Sequence, residues 1–207
     1  MINKEEVIRA LGELRKLEKK KFSQTVDLII NLKNFDIKRE SVNIVVTFPF
    51  KFREIKAAAF LTAKSKIIDT ITKADFERYK GKNAKKLVKS YDFFIAHASL
   101  MPSIATNFGK FLGQAGKMPS PQLGIITKED DATINETLSK ASGSVKIKTK
   151  EPSLKLAVGK ESMKDEEIAE NAILAYNAVM NALSKKKENI RSVLIKFSMS
   201  KPVKLAL

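Results

Sequence analysis

Strands of one pattern open and close this 207-residue chain, and strands of another pattern fill its middle. Across residues 22–33, Val26, Leu28, Ile30 and Leu32 alternate with Thr25, Asp27, Ile29 and Asn31. Period-2 alternation of this kind predicts a strand with one buried and one open face. Residues 42–48 form a second β-rich run, ended by Pro49. The same style returns after Leu138, at 144–149 and 154–158 around Glu151-Pro152, and again at 192–197 and 203–205. Between these regions, Ala57-Ala-Ala-Phe-Leu-Thr-Ala63 and Tyr91-Asp-Phe-Phe-Ile-Ala96 are almost wholly apolar. A strand covered on both faces reads that way, and helical segments between such strands imply a small parallel α/β unit. The pattern therefore predicts an α/β layer built from both ends of the chain, interrupted by an inserted α/β unit.

Residues 3–20 read as a helix. Asn3 and Glu6 have the spacing of an N-cap and its partner, and Val7, Ala10, Leu11, Leu14 and Leu17 form one apolar stripe. Residues 75–89 are charged and partly helical, and residues 99–106 form a loop leading into a helix. Phe108-Gly-Lys-Phe-Leu-Gly-Gln-Ala-Gly-Lys-Met-Pro-Ser-Pro121 holds three of the 8 glycines and two of the 6 prolines, which predicts a built loop. Ser162-Met-Lys-Asp165 resembles a capping box that opens a long helix to about Lys187.

Charge speaks to partners. Lys+Arg 39 against Asp+Glu 23 gives +16, which points to nucleic acid first and to an anionic membrane surface second. Residues 58–140 hold 13 basic and 8 acidic residues, and the other 124 residues hold 26 and 15, so the two-termini layer carries most of the excess. Twelve lysines (19, 20, 21, 33, 146, 148, 150, 155, 160, 196, 201 and 204) lie in or beside its predicted strands. That density favours an anionic polymer over a merely solvated face. No run approaches the roughly 18 apolar residues of a membrane span. The charged Met1-Ile-Asn-Lys-Glu-Glu6 has no apolar signal core, and the absence of Cys fits a cytoplasmic protein. Without Cys, thiolate chemistry and Cys-bound metal are excluded, and one histidine cannot make a multi-His zinc site.

The constellations that suggest enzymes are weak. Gly109, Gly113 and Gly116 are spaced G-x3-G-x2-G, which is neither a dinucleotide fingerprint nor a P-loop; Met118 stands where a magnesium-binding hydroxyl would follow Gly116-Lys117. His97 ends an apolar strand without a nucleophile in reach by sequence, so it reads as structural or solvated. Glu129-Asp-Asp131 lacks regularly spaced oxygen ligands and reads as a turn or helix start. No enzyme, cofactor or metal is expected.

At this point a resemblance emerges. Phe108 to Pro121 resembles the signature loop of the ribosomal protein L-one family, and Asp92-Phe-Phe-Ile-Ala-His-Ala-Ser-Leu-Met-Pro102 is similar to the segment before it in the archaeal branch. Phe22-Ser-Gln-Thr-Val-Asp27, Ala157-Val-Gly-Lys160 and Phe197-Ser-Met-Ser200 match in the same order, so the resemblance spans essentially the whole chain. It implies an α/β fold of two domains: a two-layer α/β sandwich built from both termini (1–56 and 141–207) with an inserted Rossmann-like domain (57–140). It also implies a protein of the mobile side stalk of the large ribosomal subunit. Such a protein binds large-subunit rRNA and other ribosomal components, contacts exit-site tRNA, and represses its own mRNA.

Carried onto this sequence, rRNA contact falls on Phe22, Thr25 and Asp27 and on Ser198, Met199 and Ser200, with Lys21, Lys150, Lys155, Lys160 and Lys201 as cationic neighbours. Small hydroxyls and open backbone suit RNA 2′-hydroxyls, and an acid such as Asp27 can accept from one. Lys110, Gly113, Gly116 and Lys117 form a loop facing rRNA, tRNA or the hinge. Two departures stand out: Ser200-Lys201 replaces the family's Gly-Pro, and Gln114-Ala115 replaces Pro-Arg. The alternative is a non-ribosomal RNA-binding or RNA-processing relative of the same fold.

Overall fold

The computed structural model describes residues 2–16, 21–36, 40, 42–65, 67–79, 81–149 and 151–206. The proposed helical residues 17–20, with Lys19 and Lys20, and Lys150 lie outside the described residues. The chain divides into two compact units, residues 1–52 with 143–207 and residues 53–142. The elements run in chain order α1 (Lys4–Arg15), β1 (Thr25–Leu32), β2 (Asn43–Thr47), β3 (Ala57–Phe60), β4 (Asp69–Ile71), α2 (Lys82–Ser90), β5 (Phe93–His97) and α3 (Met101–Ala115). They continue with β6 (Ile125–Ile126), α4 (Asp131–Gly143), β7 (Ser144–Lys148), β8 (Ser153–Lys160), α5 (Asp165–Ala182), β9 (Ile190–Phe197) and β10 (Val203–Leu205).

The first unit is a two-layer α/β sandwich. Its antiparallel sheet has the order β10-β9-β1-β8, with β1 between the strands from the C-terminal part of the chain. The alternation of β1 is realised as expected: Val26, Leu28, Ile30 and Leu32 are buried, and the residues between them are half-buried. The inward row packs with Val7, Ala10, Leu11 and Leu14 of α1 and with Ile168, Ala172, Ala175, Tyr176 and Val179 of α5. Each buried Val, Leu or Ile of this set contributes about 1.5–3 kcal/mol relative to exposure, so the helical layer lies on this face only. Gly159 permits the approach: a Cβ there would sit 2.9 Å from Cγ1 of Ile168. Strands β2 and β7 pair separately as an antiparallel ribbon whose Val46 and Ile147 join the same core.

The caps differ from expectation. Asn3 is the N-cap of α1 but makes no side-chain cap bond, and Glu6 instead accepts from the Ala206 amide at 2.9 Å. Helix α5 starts at Asp165 rather than Ser162. Arg15 binds the Asp165 carboxylate and the Glu161 and Met163 carbonyls, which holds the preceding turn out of helical geometry. The helix ends at Ala182 rather than Lys187; Lys186 sits at φ 47°, and the Asn189 side chain bonds Lys185, Lys33 and Asn34.

The second unit is Rossmann-like. Its four strands, in the order β4-β3-β5-β6, are all parallel. Phe60, Phe76, Phe94 and Phe108 cluster on one face under α2 and α3, while Ala59, Ile95, Ile126 and Ile134 pack on the other. Strand β3 therefore reads as a continuous apolar run because both of its faces are covered.

The built loop expected over 108–121 is largely helix. Helix α3 runs to Ala115 and takes in Phe108 to Ala115, including Lys110 and Gly113. Ile104, Phe108 and Leu112 are buried at four-residue spacing. That stripe outweighs the roughly 1 kcal/mol that each helical glycine costs. Gly116 is the left-handed C-cap at φ 70°, with Lys117 N–H donating to the Leu112 carbonyl at 2.9 Å.

Candidate nucleic-acid interface

At one end of the first unit's sheet, β1 and β9 run directly into their flanking loops. The ladder continues past the strands: Ser198 N–H donates to the Thr25 carbonyl at 3.0 Å, and Thr25 N–H donates to Ser198 Oγ at 3.2 Å. Met199 N–H donates to Oε1 of Gln24 at 3.1 Å, and Gln24 is itself buried. Gln24 is fixed in turn by Glu161, whose carboxylate accepts the Gln24 amide and whose amide donates to the Gln24 carbonyl. These hydrogen bonds fix the loop backbone in place, yet it presents Met199 at 68% exposure, and Phe22 stands at 55% exposure just before β1. Lys21, Lys160 and Lys201 are exposed around them, and Thr25 pairs across the sheet with Lys160.

Ser200, where the family pattern has glycine, needs no left-handed backbone: among the described residues only Asn34 and Lys186 are non-glycines at positive φ. Its hydroxyl accepts from Phe197 N–H at 2.9 Å, and its own N–H donates back to the Phe197 carbonyl. The serine closes the turn with its side chain.

Asp27 lies one step further along the open face, opposite Lys196 of β9 and Ala157 of β8. Burial pushes its carboxyl above the ordinary carboxylate range, and the Lys196 ammonium pulls it part of the way back. Lys155 of β8 is exposed on the same face, 3.8 Å from Glu151. The arrangement joins cations, hydroxyls, one acceptor acid and two exposed apolar side chains at the loop end and along the open face of one sheet. Phosphates, 2′-hydroxyls and base or sugar faces are the groups it complements.

Gln24, Glu161 and Arg15 were not legible as members of this site. Each acts through backbone groups of residues far away in sequence, and only the polar Ser-Gln-Thr run before the strand hinted at Gln24.

In the second unit two charged residues, Lys117 and Glu129, serve internal bonds. Lys110 is exposed on α3, and Gly113 and Gly116 have open space around their α-carbons. Lys117 does not reach outward: its ammonium donates to the Val88 and Tyr91 carbonyls at 2.8 Å each, capping the end of α2. Glu129 accepts from Thr62 N–H, Thr62 Oγ–H and Ala63 N–H. Burial would raise its carboxyl, but these bonds and nearby His97 outweigh that and hold it below the ordinary value. His97 is spanned by Ser99 and the Thr127 carbonyl. Among the described residues no acid and histidine group could hold a metal, and no helix is long and apolar enough to cross a membrane.

A family model described as the ribosomal protein L1p/L10e family matches residues 14–201. The chain is similar to the large ribosomal subunit protein uL1 of Pyrococcus abyssi, at 32% identity over 98% of this chain and 96% of the relative. It is similar also to the uL1 proteins of Methanothermococcus thermolithotrophicus, at 33% identity over 99% of both chains, and of Nanoarchaeum equitans, at 30% over 92% and 95%. Near-complete matches of this kind, together with a sandwich interrupted by a parallel α/β unit, place the protein: it belongs to the ribosomal protein L1p/L10e family, in its archaeal form.

Proposed function

We propose that this protein binds large-subunit rRNA through the sheet end of its two-termini domain (expected over 1–56 and 141–207) and so forms the mobile side stalk. Its place is that of a structural, non-enzymatic protein of the large ribosomal subunit, in the cytoplasm. The observation that carries the rRNA reading is the exposure of two large apolar side chains at this sheet end: Phe22, just before β1, and Met199, on a loop fixed by the Thr25–Ser198 and Gln24–Met199 bonds. Thr25, Asp27, Ser198 and Ser200 supply polar partners, and Lys21, Lys155, Lys160 and Lys201 supply phosphate contacts, with Lys150 expected beside them. Exit-site tRNA would meet the exposed end of α3 at Lys110, Gly113 and Gly116. Repression of its own mRNA would use the rRNA surface on a similar RNA structure.

Filter binding of the full chain to a large-subunit stalk fragment tests this. The fragment should bind far more tightly than an unrelated duplex at equal salt, and Met199→Glu should weaken it at least tenfold by setting a carboxylate against RNA. Equal affinity for both RNAs would sink the reading.

A further inference from the structure

Beyond the loop end, the open face of the β10-β9-β1-β8 sheet is ordered into rows. Lys204, Leu194, Ile29 and Lys155 lie side by side across all four strands. One row further on, Ser192, Asn31 and Ser153 are joined: Asn31 Nδ2 donates to Ser192 Oγ at 3.0 Å, and Ser153 Oγ donates to Asn31 Oδ1 at 2.9 Å. These bonds use one of the two Asn31 amide hydrogens. The Ser192 hydroxyl proton and lone pairs on Asn31 and Ser153 are left for another partner. The loop contacts at Phe22 and Met199 make no use of this row.

We infer that the far half of this sheet is a second RNA seat, taking the minor groove of a paired RNA segment. This rests on the rRNA-binding reading and extends it. Lys204 and Lys155 stand three inter-strand steps apart, about 14 Å, on either side of a flat apolar pair. A wide, shallow A-form minor groove presents phosphates at its two edges and 2′-hydroxyls on its floor. Two cations at the rim, Leu194 and Ile29 between them, and a hydrogen-bonding row beside them match that order. Two aliphatic side chains are too small a patch for a hydrophobic protein partner. From Thr25 to Asn31 the strand covers about 20 Å, so the loop contact and the row can engage one continuous helix.

The test uses the full chain and a large-subunit stalk fragment, made all-ribo and with 2′-deoxy substitutions in its helical flank. Asn31→Ala should lower affinity for the all-ribo fragment about three- to tenfold and change little on the deoxy one. Lys155→Ala with Lys204→Ala, both at exposed positions, should flatten the salt dependence by about two units. The inference falls if both variants bind like the parent, or if Asn31→Ala loses equally on the two fragments, while Met199→Glu still abolishes binding. If Met199→Glu itself binds like the parent, the rRNA reading fails instead.

Discussion

At the scale of single residues, Asp27 sets the character of the surface. A carboxylate among lysines lowers attraction for any polyanion, so under the proposed rRNA binding its contribution is to selectivity. Because burial raises its pKa, the folded chain holds that proton more tightly than the unfolded chain does. The ionised form therefore costs stability above the raised pKa, and that cost disappears as pH falls through it and below the unfolded value. Asp27→Asn is expected to melt higher than the parent at neutral pH, with the difference closing in acid; thermal unfolding at both pH values measures it. The same variant should gain affinity for any duplex yet lose preference for ribose over deoxyribose, read by competition binding. Lys204→Ala should lower rRNA affinity modestly and reduce the salt slope by about one unit, read from a salt titration of binding. The exposure of Met199 and Phe22 could not be read from sequence, because an apolar residue beside a strand is as consistent with the core as with a contact surface. Gln24 was hidden for a related reason: its partners are a loop amide and a turn that lie near it only in space.

At the scale of elements, strand patterns transferred directly to structure and the glycine-rich segment did not. Alternation in β1 survives because one face meets two helices and the other meets none of them, and the unbroken apolar run of β3 survives because both faces are covered. In α3 the glycines argued for a loop, but the spacing of Ile104, Phe108 and Leu112 decided for helix once the Phe60 and Phe94 rings were beneath it. The segment's punctuation acts only at Gly116, where the chain must turn. Lys117 follows that turn and serves as a cap on α2. Lys117→Met is expected to cost about 1–2 kcal/mol in chemical denaturation, since two carbonyls lose a charged donor, while rRNA affinity stays unchanged.

At the scale of the whole molecule, the charge excess, the interrupted sandwich and the family membership describe a protein whose partner is large and anionic. In a lysate resolved on a density gradient, the chain should travel with the large subunit and be released at high salt, as counterion release requires. The fold class, the order of strand types and the family were determined by the sequence alone, because burial periodicity and local motifs are written residue by residue. What only the tertiary structure decided is which side chains stay in solvent and which are used internally. β1 became the centre of a sheet whose other strands arrive after residue 143. That long-range pairing fixed the Thr25–Ser198 edge, exposed Met199 and linked Asn31 to Ser153 and Ser192. The capping of α2 turned Lys117 from a candidate ligand cation into a structural one. Registers and caps of this kind depend on contacts between distant segments, so no local window of sequence contains them.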